Sequence, residues 1–168
     1  MTDGAPRLAD VLRGPACLVG VGNPLRRDDG VGPWIVAALR GTAAASALDL
    51  VDAQDVPENF VPAIARGAAR NVVFVDAVAA EGEPGTVVFG LLADMAEAES
   101  FSTHKMALSL SGKYLAAAGK EAFLLGIVPA DLDFGEGLTP AVARAAAGVR
   151  DAVLGALAPA RPEDRHDR

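Results

Sequence analysis

The segment Gly20–Gly32, "GVGNPLRRDDGVG", decides the fold of this chain. It follows the short apolar run "ACLV" and leads into "PWIVAALR", so we expect a strand that ends in a glycine turn from which a helix begins. A loop that cradles phosphate would end in lysine or in exposed amides, and the third glycine of a dinucleotide-binding loop is missing here. This loop ends instead in two carboxylates, those of Asp28 and Asp29.

Length and composition predict a globular chain of one domain. Its 168 residues are 51% hydrophobic and 22% charged, and the formal net charge is -7. Such an acidic balance argues against a nucleic-acid-binding protein, which needs a basic face. The single cysteine, Cys17, excludes an internal disulfide and a multi-cysteine zinc site, and its apolar neighbours predict a buried, inert thiol. No apolar run reaches the roughly 18 residues needed to span a bilayer. The first apolar run lacks the flanks of a signal peptide, so we expect a cytoplasmic protein.

Apolar runs that alternate with helix-like segments predict a three-layer α/β fold with a mostly parallel sheet. The predicted strands are Ala16–Val21, Ala47–Val51, Asn71–Val75, Thr86–Phe89 and Ala122–Ile127. The predicted helices are Val31–Arg40, Glu58–Arg66, Leu91–Ala98, Lys105–Ala118 and Pro140–Leu157. The strands are short and continuously apolar, as expected for strands covered on both faces, and the fourth could run antiparallel at an edge. We expect one domain over residues 1–158 and a frayed tail over residues 159–168, where His166 lies without a function.

Polar side chains follow the predicted strands, and ligands of such sheets bind beyond the carboxyl ends of the strands. Only one histidine outside the tail can reach that edge, His104 in "STHKM". The acids and amides that follow the first, second, third and fifth strands are Asn23, Asp28, Asp29, Asp52, Gln54, Asp55, Glu58, Asn59, Asp76, Asp131 and Asp133. Acidic groups therefore gather at one rim of the sheet.

Each of these residues also has a purely structural interpretation. "ST" before a helix is a good N-cap, so "STHKMALSL" could be only a helix start. Asp76 could cap a turn, and one of Asp28 and Asp29 is expected to interact with the dipole of the next helix while the other faces the cleft. Arg26 and Arg27 could be solvated, or they could neutralise the acids.

Two carboxylates and one imidazole at this rim make a set of two oxygen ligands and one nitrogen ligand. Such a set suits a borderline divalent metal completed by water or by a partner's groups, and it does not suit a closed zinc site. A serine triad is conceivable with one usable histidine, but the chain has no Gly-x-Ser-x-Gly signature.

The chain resembles the nickel–iron hydrogenase maturation endopeptidases, which trim the C-terminal tail of the hydrogenase large-subunit precursor. The resemblance spans nearly the whole chain and rests on the order and spacing of several short motifs. These are "GVGNPLRRDDGVGP", "DAQDVPEN", "VVFVDAV", "STHKMAL", "LLGIVP" and "GLTPAV". The "PEN" and "THKM" segments are most similar to the branch that serves hydrogenase 3-type enzymes.

The resemblance implies a twisted five-stranded sheet between helices and a site made of Asp29, Asp76 and His104. These match the family's metal-sensing residues by motif position: an acid in the first loop, an aspartate that ends the third strand, and a histidine in a later loop. The implied metal is nickel already installed in the substrate, for which another divalent metal could stand in. The implied partner is the large-subunit precursor, and the implied reaction is hydrolysis of one peptide bond.

The nickel could polarise the scissile carbonyl or activate water. It could instead dock the substrate while Asp29 or Asp76 acts as a base, which is the interpretation we favour. Two alternatives stay open from the sequence. The chain could be a non-catalytic, metal-dependent binding module or chaperone for the large subunit, or a related peptidase with another substrate, as in the spore protease group.

Overall fold

The computed structural model describes residues 4–97, 102 and 104–159, and it contains a five-stranded sheet with helices on both faces. The strands are β1 (Ala16–Val21), β2 (Asp49–Gln54), β3 (Asn71–Ala77), β4 (Val87–Leu91) and β5 (Glu121–Ile127). The helices are α1 (Leu8–Val11), α2 (Val31–Arg40), α3 (Val61–Arg66), α4 (Leu92–Ala96), α5 (Lys105–Ala117) and α6 (Pro140–Leu157). The predicted three-layer α/β fold is confirmed.

The strand order is β2-β1-β3-β5-β4, and only β4 runs antiparallel to its neighbour. The possible antiparallel edge strand is therefore confirmed. Each of the three central strands pairs on both sides and is buried almost throughout, as the continuous apolar runs predicted. The edge strands β2 and β4 are only partly buried, so the expectation that every strand is covered on both faces is wrong for these two.

Successive residues of the central strands point to opposite faces of the sheet, and each face has its own core. Leu18, Val73 and Leu125 pack with apolar side chains of α1, α2 and α6. On the other face, Val19, Phe74 and Leu124 pack with side chains of α3, α4 and α5. The carboxyl ends of β1, β2, β3 and β5 consequently meet at one edge of a sheet that is held from both sides.

Two predicted elements begin later than expected for local reasons. The second strand was predicted to begin at Ala47, but Ala44–Ala47 forms a 3-10 turn. β2 therefore starts at Asp49, which pairs with Cys17. The third helix was predicted from Glu58, but Pro57–Asn59 forms a 3-10 turn and α3 begins at Val61. Pro62 has no N–H to donate four residues back, which keeps it in the first turn of a helix.

Two further predictions concern the ends of the chain and the membrane. The boundary between the domain and the tail stays a prediction, since residues 160–168, which include His166, lie outside the described residues. Ala98, with which the fourth predicted helix ends, also lies outside them. Within the described ranges, none of the helices combines the length and the apolar character required to cross a bilayer.

Cys17 lies on β1 with only 1% of its surface exposed. Burial is the largest cause that raises the pKa of its thiol, to about 12, with a smaller contribution from the nearby Asp49 carboxylate. Because the thiolate is the reactive form, we expect Cys17 to resist iodoacetamide at pH 8 in the folded protein and to react fully in urea. Mass spectrometry of the alkylated protein measures this, and rapid labelling without denaturant would contradict the buried position.

Candidate metal centre and active site

Asp29 lies in the loop between β1 and α2, which the backbone folds tightly. Gly22 follows β1 with φ of +130°, and a Cβ atom there would lie 1.7 Å from the carbonyl oxygen of Asp29. The chain then forms a 3-10 turn over Arg27–Gly30, which runs directly into α2. One carboxylate oxygen of Asp29, Oδ2, accepts the N–H of Asn23 at 2.8 Å. The side chain is thereby fixed at the carboxyl end of β1, where Asp29 is buried.

Asp76 is the sixth residue of β3, in the centre of the sheet, and it is fully buried. Its Oδ2 accepts a hydrogen bond from the hydroxyl of Ser102 and lies 3.2 Å from Nδ1 of His104. The hydroxyl oxygen of Ser102 in turn accepts the backbone N–H of His104 at 2.9 Å. Ser102 and His104 therefore hold one oxygen of Asp76, and its other oxygen, Oδ1, accepts no hydrogen bond from the described residues.

Asp29, Asp76 and His104 come together in space. Each offers one ligand atom, and these atoms all lie within 4.8 Å of one another. Oδ1 of Asp29 and Oδ1 of Asp76 are buried, and within the described residues neither has a hydrogen-bond partner. Buried carboxylate oxygens are almost always paired, because an unpaired one loses its hydration without compensation. Two such oxygens beside an imidazole form a set that a divalent cation would complete.

The pKa values of Asp76 and His104 are shifted by burial and by the contact between the two side chains. Burial raises the pKa of Asp76, while the hydrogen bond and charge of His104 and the hydrogen bond of Ser102 lower it in part. The hydrogen bond to Asp76 is the largest cause that raises the pKa of His104, and nearby Asp29 and Asp55 raise it further. The site therefore favours positive charge at His104 and makes Asp76 a stronger base than an exposed aspartate.

Asp28, next to Asp29 in sequence, points the other way. Its Oδ2 accepts the N–H groups of Ala130 and Asp131 at 2.9 and 3.0 Å and the hydroxyl of Thr139 at 2.8 Å. Its Oδ1 accepts the N–H of Thr139 at 2.7 Å. Asp28 thus fastens the loop after β5 to the loop after β1. The two adjacent aspartates therefore have separate partners, as expected, and the hydrogen-bond partners of Asp28 lie in a distant loop. The interaction of one of them with the dipole of α2 stays a prediction.

The two arginines of the first loop are held by the loop after β5. Arg26 donates from Nε to the carbonyl of Leu132 at 3.2 Å, and Arg27 Nε lies 3.4 Å from the carboxylate of Asp131. Within the residues that the structure describes, neither arginine pairs with Asp28 or Asp29. The buried acids are therefore not neutralised by arginine.

The other polar residues of the rim do not join the three ligand candidates. Asp52 accepts the N–H of Gln54 at 3.3 Å, and Asp131 accepts the N–H of Asp133 at 2.8 Å, so both carboxylates shape local turns. The side chain of Asn23 accepts the N–H of Leu25 at 2.9 Å in the same way. Glu58 and Asn59 are exposed on their 3-10 turn.

Ser102 is the site residue that the sequence interpretation missed. "ST" was considered only as an N-cap, but α5 begins at Lys105 and the residue before the helix is His104. Ser102 instead donates its hydroxyl proton to Asp76 and orients the backbone of His104. One sequence signal could have identified Ser102: it is a hydroxyl residue two positions before a candidate ligand. Serine commonly accepts the N–H two residues ahead.

The chain is similar to hydrogenase maturation proteases in sequence and in structure. The family model of HycI, hydrogenase maturation protease, matches residues 33–156. A candidate hydrogenase maturation protease of Methanocaldococcus jannaschii is 30% identical over 125 residues, which cover 70% of this chain and 73% of that protein.

Solved structures show the same fold. The nickel–iron hydrogenase maturation protease HycI of Thermococcus kodakarensis superposes with a TM-score of 0.78 at 26% identity, covering 89% of this chain and 97% of that one. The endopeptidase HycI of Escherichia coli superposes with a TM-score of 0.73 at 25% identity, covering 84% and 90%.

Proposed function

Because this chain belongs to the hydrogenase maturation protease family, and is therefore a peptidase, we propose that it removes the C-terminal extension of a nickel–iron hydrogenase large-subunit precursor after nickel insertion. One observation supports this most strongly. Two buried carboxylate oxygens without partners, on Asp29 and Asp76, lie with His104 within the reach of one cation. The hydrogenase 3-type branch stays a prediction.

The composition of the site favours a metal that arrives with the substrate. Two carboxylate oxygens and one imidazole nitrogen are acceptable ligands for nickel, which takes nitrogen and oxygen donors. Three ligands leave coordination positions open, and a nickel ion held by the precursor would bring its own ligands to those positions. Asp29, Asp76 and His104 would then bind only a precursor whose metal centre is complete.

The same residues support hydrolysis of the peptide bond. Oδ1 of Asp76 has no hydrogen-bond partner among the described residues, so this oxygen is available to take a proton from water. In this account the proton moves from the water to the carboxylate, the water oxygen adds to the scissile carbonyl, and the proton passes to the departing amine. Ser102 and His104 keep Oδ2 of Asp76 in place, which leaves Oδ1 as the oxygen that would act as the base.

We expect the isolated protein to bind nickel weakly. Three protein ligands leave coordination positions of nickel open. In the isolated protein, the ligands that the substrate would supply to those positions are absent. Dialysis of a nickel-loaded sample against a chelator, followed by elemental analysis, should leave far less than one nickel per chain. Retention of one equivalent would indicate a resident cofactor and would contradict this part of the proposal.

The proposal is tested by incubating the purified protein with a nickel-loaded large-subunit precursor and weighing the products. The expected result is a shorter large subunit and a released C-terminal peptide whose masses add up to the precursor plus one water. A stable complex with an uncut precursor would instead favour the chaperone interpretation. Cleavage at an internal or N-terminal bond would contradict removal of a C-terminal extension.

A further inference from the structure

The hydroxyl of Ser102 is a buried group that contacts two of the three candidate ligands. Ser102 is 5% exposed. Its Oγ donates a hydrogen bond to Oδ2 of Asp76 and accepts the backbone N–H of His104 at 2.9 Å. A serine hydroxyl has a single proton, so Asp76 uses the whole donor capacity of Ser102. The hydroxyl therefore links a side chain of β3 to a residue that lies 28 positions later in the chain.

The backbone of Ser102 is attached to the sheet independently of its hydroxyl. Val78, which follows β3, forms an antiparallel bridge with Ser102. Val78 is itself buried, and its N–H donates to the carbonyl of Ile127 in β5 at 3.0 Å. Gly126 of β5 leaves room for the side chain of Val78, because a Cβ atom there would lie 2.4 Å from Cγ2 of Val78. Removal of the hydroxyl should therefore leave the backbone of Ser102 in place.

The hydroxyl restrains the carboxylate of Asp76. The last torsion angle of an aspartate side chain has broad preferences, so hydrogen bonds decide how the carboxylate is turned. Oδ2 accepts from Ser102 and lies 3.2 Å from Nδ1 of His104, while the buried Oδ1 has no partner among the described residues. Without the hydroxyl, Oδ2 loses one of these two contacts, and the N–H of His104 loses its acceptor. Asp76 and His104 would then be free to turn relative to each other.

The same contacts argue against Ser102 as a nucleophile. In a serine triad the hydroxyl gives its proton to the imidazole, which the carboxylate orients. Here the hydroxyl donates to the carboxylate, and the hydrogen bond that it accepts from His104 comes from the backbone N–H. The side chain is also buried. Ser102 is thus placed to orient other groups and not to attack a peptide bond.

We propose that Ser102 is a positioning residue for peptide-bond hydrolysis, whose hydroxyl holds the carboxylate of Asp76 and the backbone of His104 in the relative orientation that the reaction requires. The inference rests on the proposed function, because it assigns Ser102 to the site that cuts the precursor. In this role Ser102 acts through its two neighbours and contacts no atom of the substrate. Loss of the hydroxyl lowers kcat by about 10–100-fold, the usual cost of losing a residue that orients a metal ligand. KM changes much less, because the residues that bind the substrate are all retained.

The test is steady-state cleavage of a nickel-loaded large-subunit precursor by the wild type, Ser102→Ala, Ser102→Thr and Ser102→Val. Threonine and valine have nearly the same shape, and only threonine has a hydroxyl, so this pair separates the hydrogen bonds from the space that the side chain fills. Ser102→Ala and Ser102→Val should share the loss of kcat, and Ser102→Thr should restore most of it. A second measurement needs no substrate: hydrogen exchange at the amide of His104, followed by NMR, should be slow in the wild type and in Ser102→Thr and faster in the other two.

Ser111→Ala is the matched control. Ser111 is also buried, at 2% exposure, and its hydroxyl donates to the carbonyl of Ala107 at 2.7 Å within α5. Seven residues of helix place it about 10 Å from His104 along the axis. Its kcat and KM should equal those of the wild type, and melting temperatures should show that the variants are folded. If the larger side chains of threonine and valine prevent folding, Ser102→Ala decides alone.

Two results would overturn the role of Ser102 and leave the proposed function intact. One is a wild-type kcat in a folded Ser102→Ala or Ser102→Val protein. The other is a loss of about 10⁶ in kcat, which is typical of the removal of a nucleophilic serine. Failure of the wild type to cut the precursor would instead overturn the proposed function.

Discussion

Asp76→Asn should leave the protein folded and should lower the rate of precursor cleavage by about 10²–10⁴, the usual contribution of a general base. The amide can keep its oxygen toward Ser102 and His104 and place its NH₂ group where Oδ1 has no partner in the described structure. Burial already disfavours the charge on Asp76, so loss of that charge should not lower the melting temperature. Loss of the charge does remove both the attraction for a cation and the base.

Asp151→Asn is the matched control, because it makes the same chemical change on an exposed carboxylate of α6. It should cut the precursor at the wild-type rate. Thermal melts and a cleavage assay on both variants separate activity from stability. Normal cleavage by a folded Asp76→Asn protein would remove Asp76 from the mechanism, and a large drop in its melting temperature would show that the carboxylate serves the fold.

The adjacent aspartates 28 and 29 should respond in opposite ways to the same substitution. Both carboxylate oxygens of Asp28 accept backbone N–H groups, Oδ2 from Ala130 and Oδ1 from Thr139. In Asp28→Asn one of these oxygens becomes an NH₂ group, which faces a donor instead of accepting from it. A buried donor left without an acceptor costs about 1–3 kcal/mol, so we expect the free energy of unfolding to fall by about 3 kcal/mol. At this chain length that corresponds to a drop in melting temperature of about 6–12 °C.

Asp29→Asn should melt near the wild-type temperature and lose cleavage. Among the described residues, its Oδ2 accepts the N–H of Asn23, which an amide oxygen can also do, and its Oδ1 has no partner to lose. Melting curves and cleavage rates of the two variants, measured side by side, decide between the roles. A stable Asp28→Asn protein that fails to cut, beside an active Asp29→Asn protein, would reverse the assignment.

The elements that could be predicted from the sequence are those whose apolar pattern and end signals agree. The strand Ala16–Val21 and the helices Val31–Arg40 and Pro140–Leu157 match the structure at both ends. The second strand and the third helix begin later than predicted, because a 3-10 turn precedes each of them. The alanines before β2 and the two prolines near α3, Pro57 and Pro62, fit several backbone conformations. The short helix α1 was not predicted, because four residues are too few to show a helical period.

The convergence of the three candidate residues could be predicted from the sequence, and their contacts with other residues could not; that they form the site stays a prediction. Asp29, Asp76 and His104 were inferred from positions after strands and from the family resemblance, and the structure brings their ligand atoms together. The role of Asp28 could not be inferred, because its partners lie 102 to 111 residues away in the chain. The contact of Ser102 with Asp76 spans 26 residues and depends in the same way on the finished fold.

The central claim is that Asp29, Asp76 and His104 bind the nickel of the substrate, and one measurement tests it most directly. Precursor samples that contain nickel in different known proportions are incubated to completion with the wild-type protein, and the cleaved fraction is measured by intact mass. The account predicts that the cleaved fraction equals the nickel-loaded fraction and that nickel-free precursor stays whole. Complete cleavage of nickel-free precursor would show that cleavage does not require the substrate's nickel, and would contradict the account.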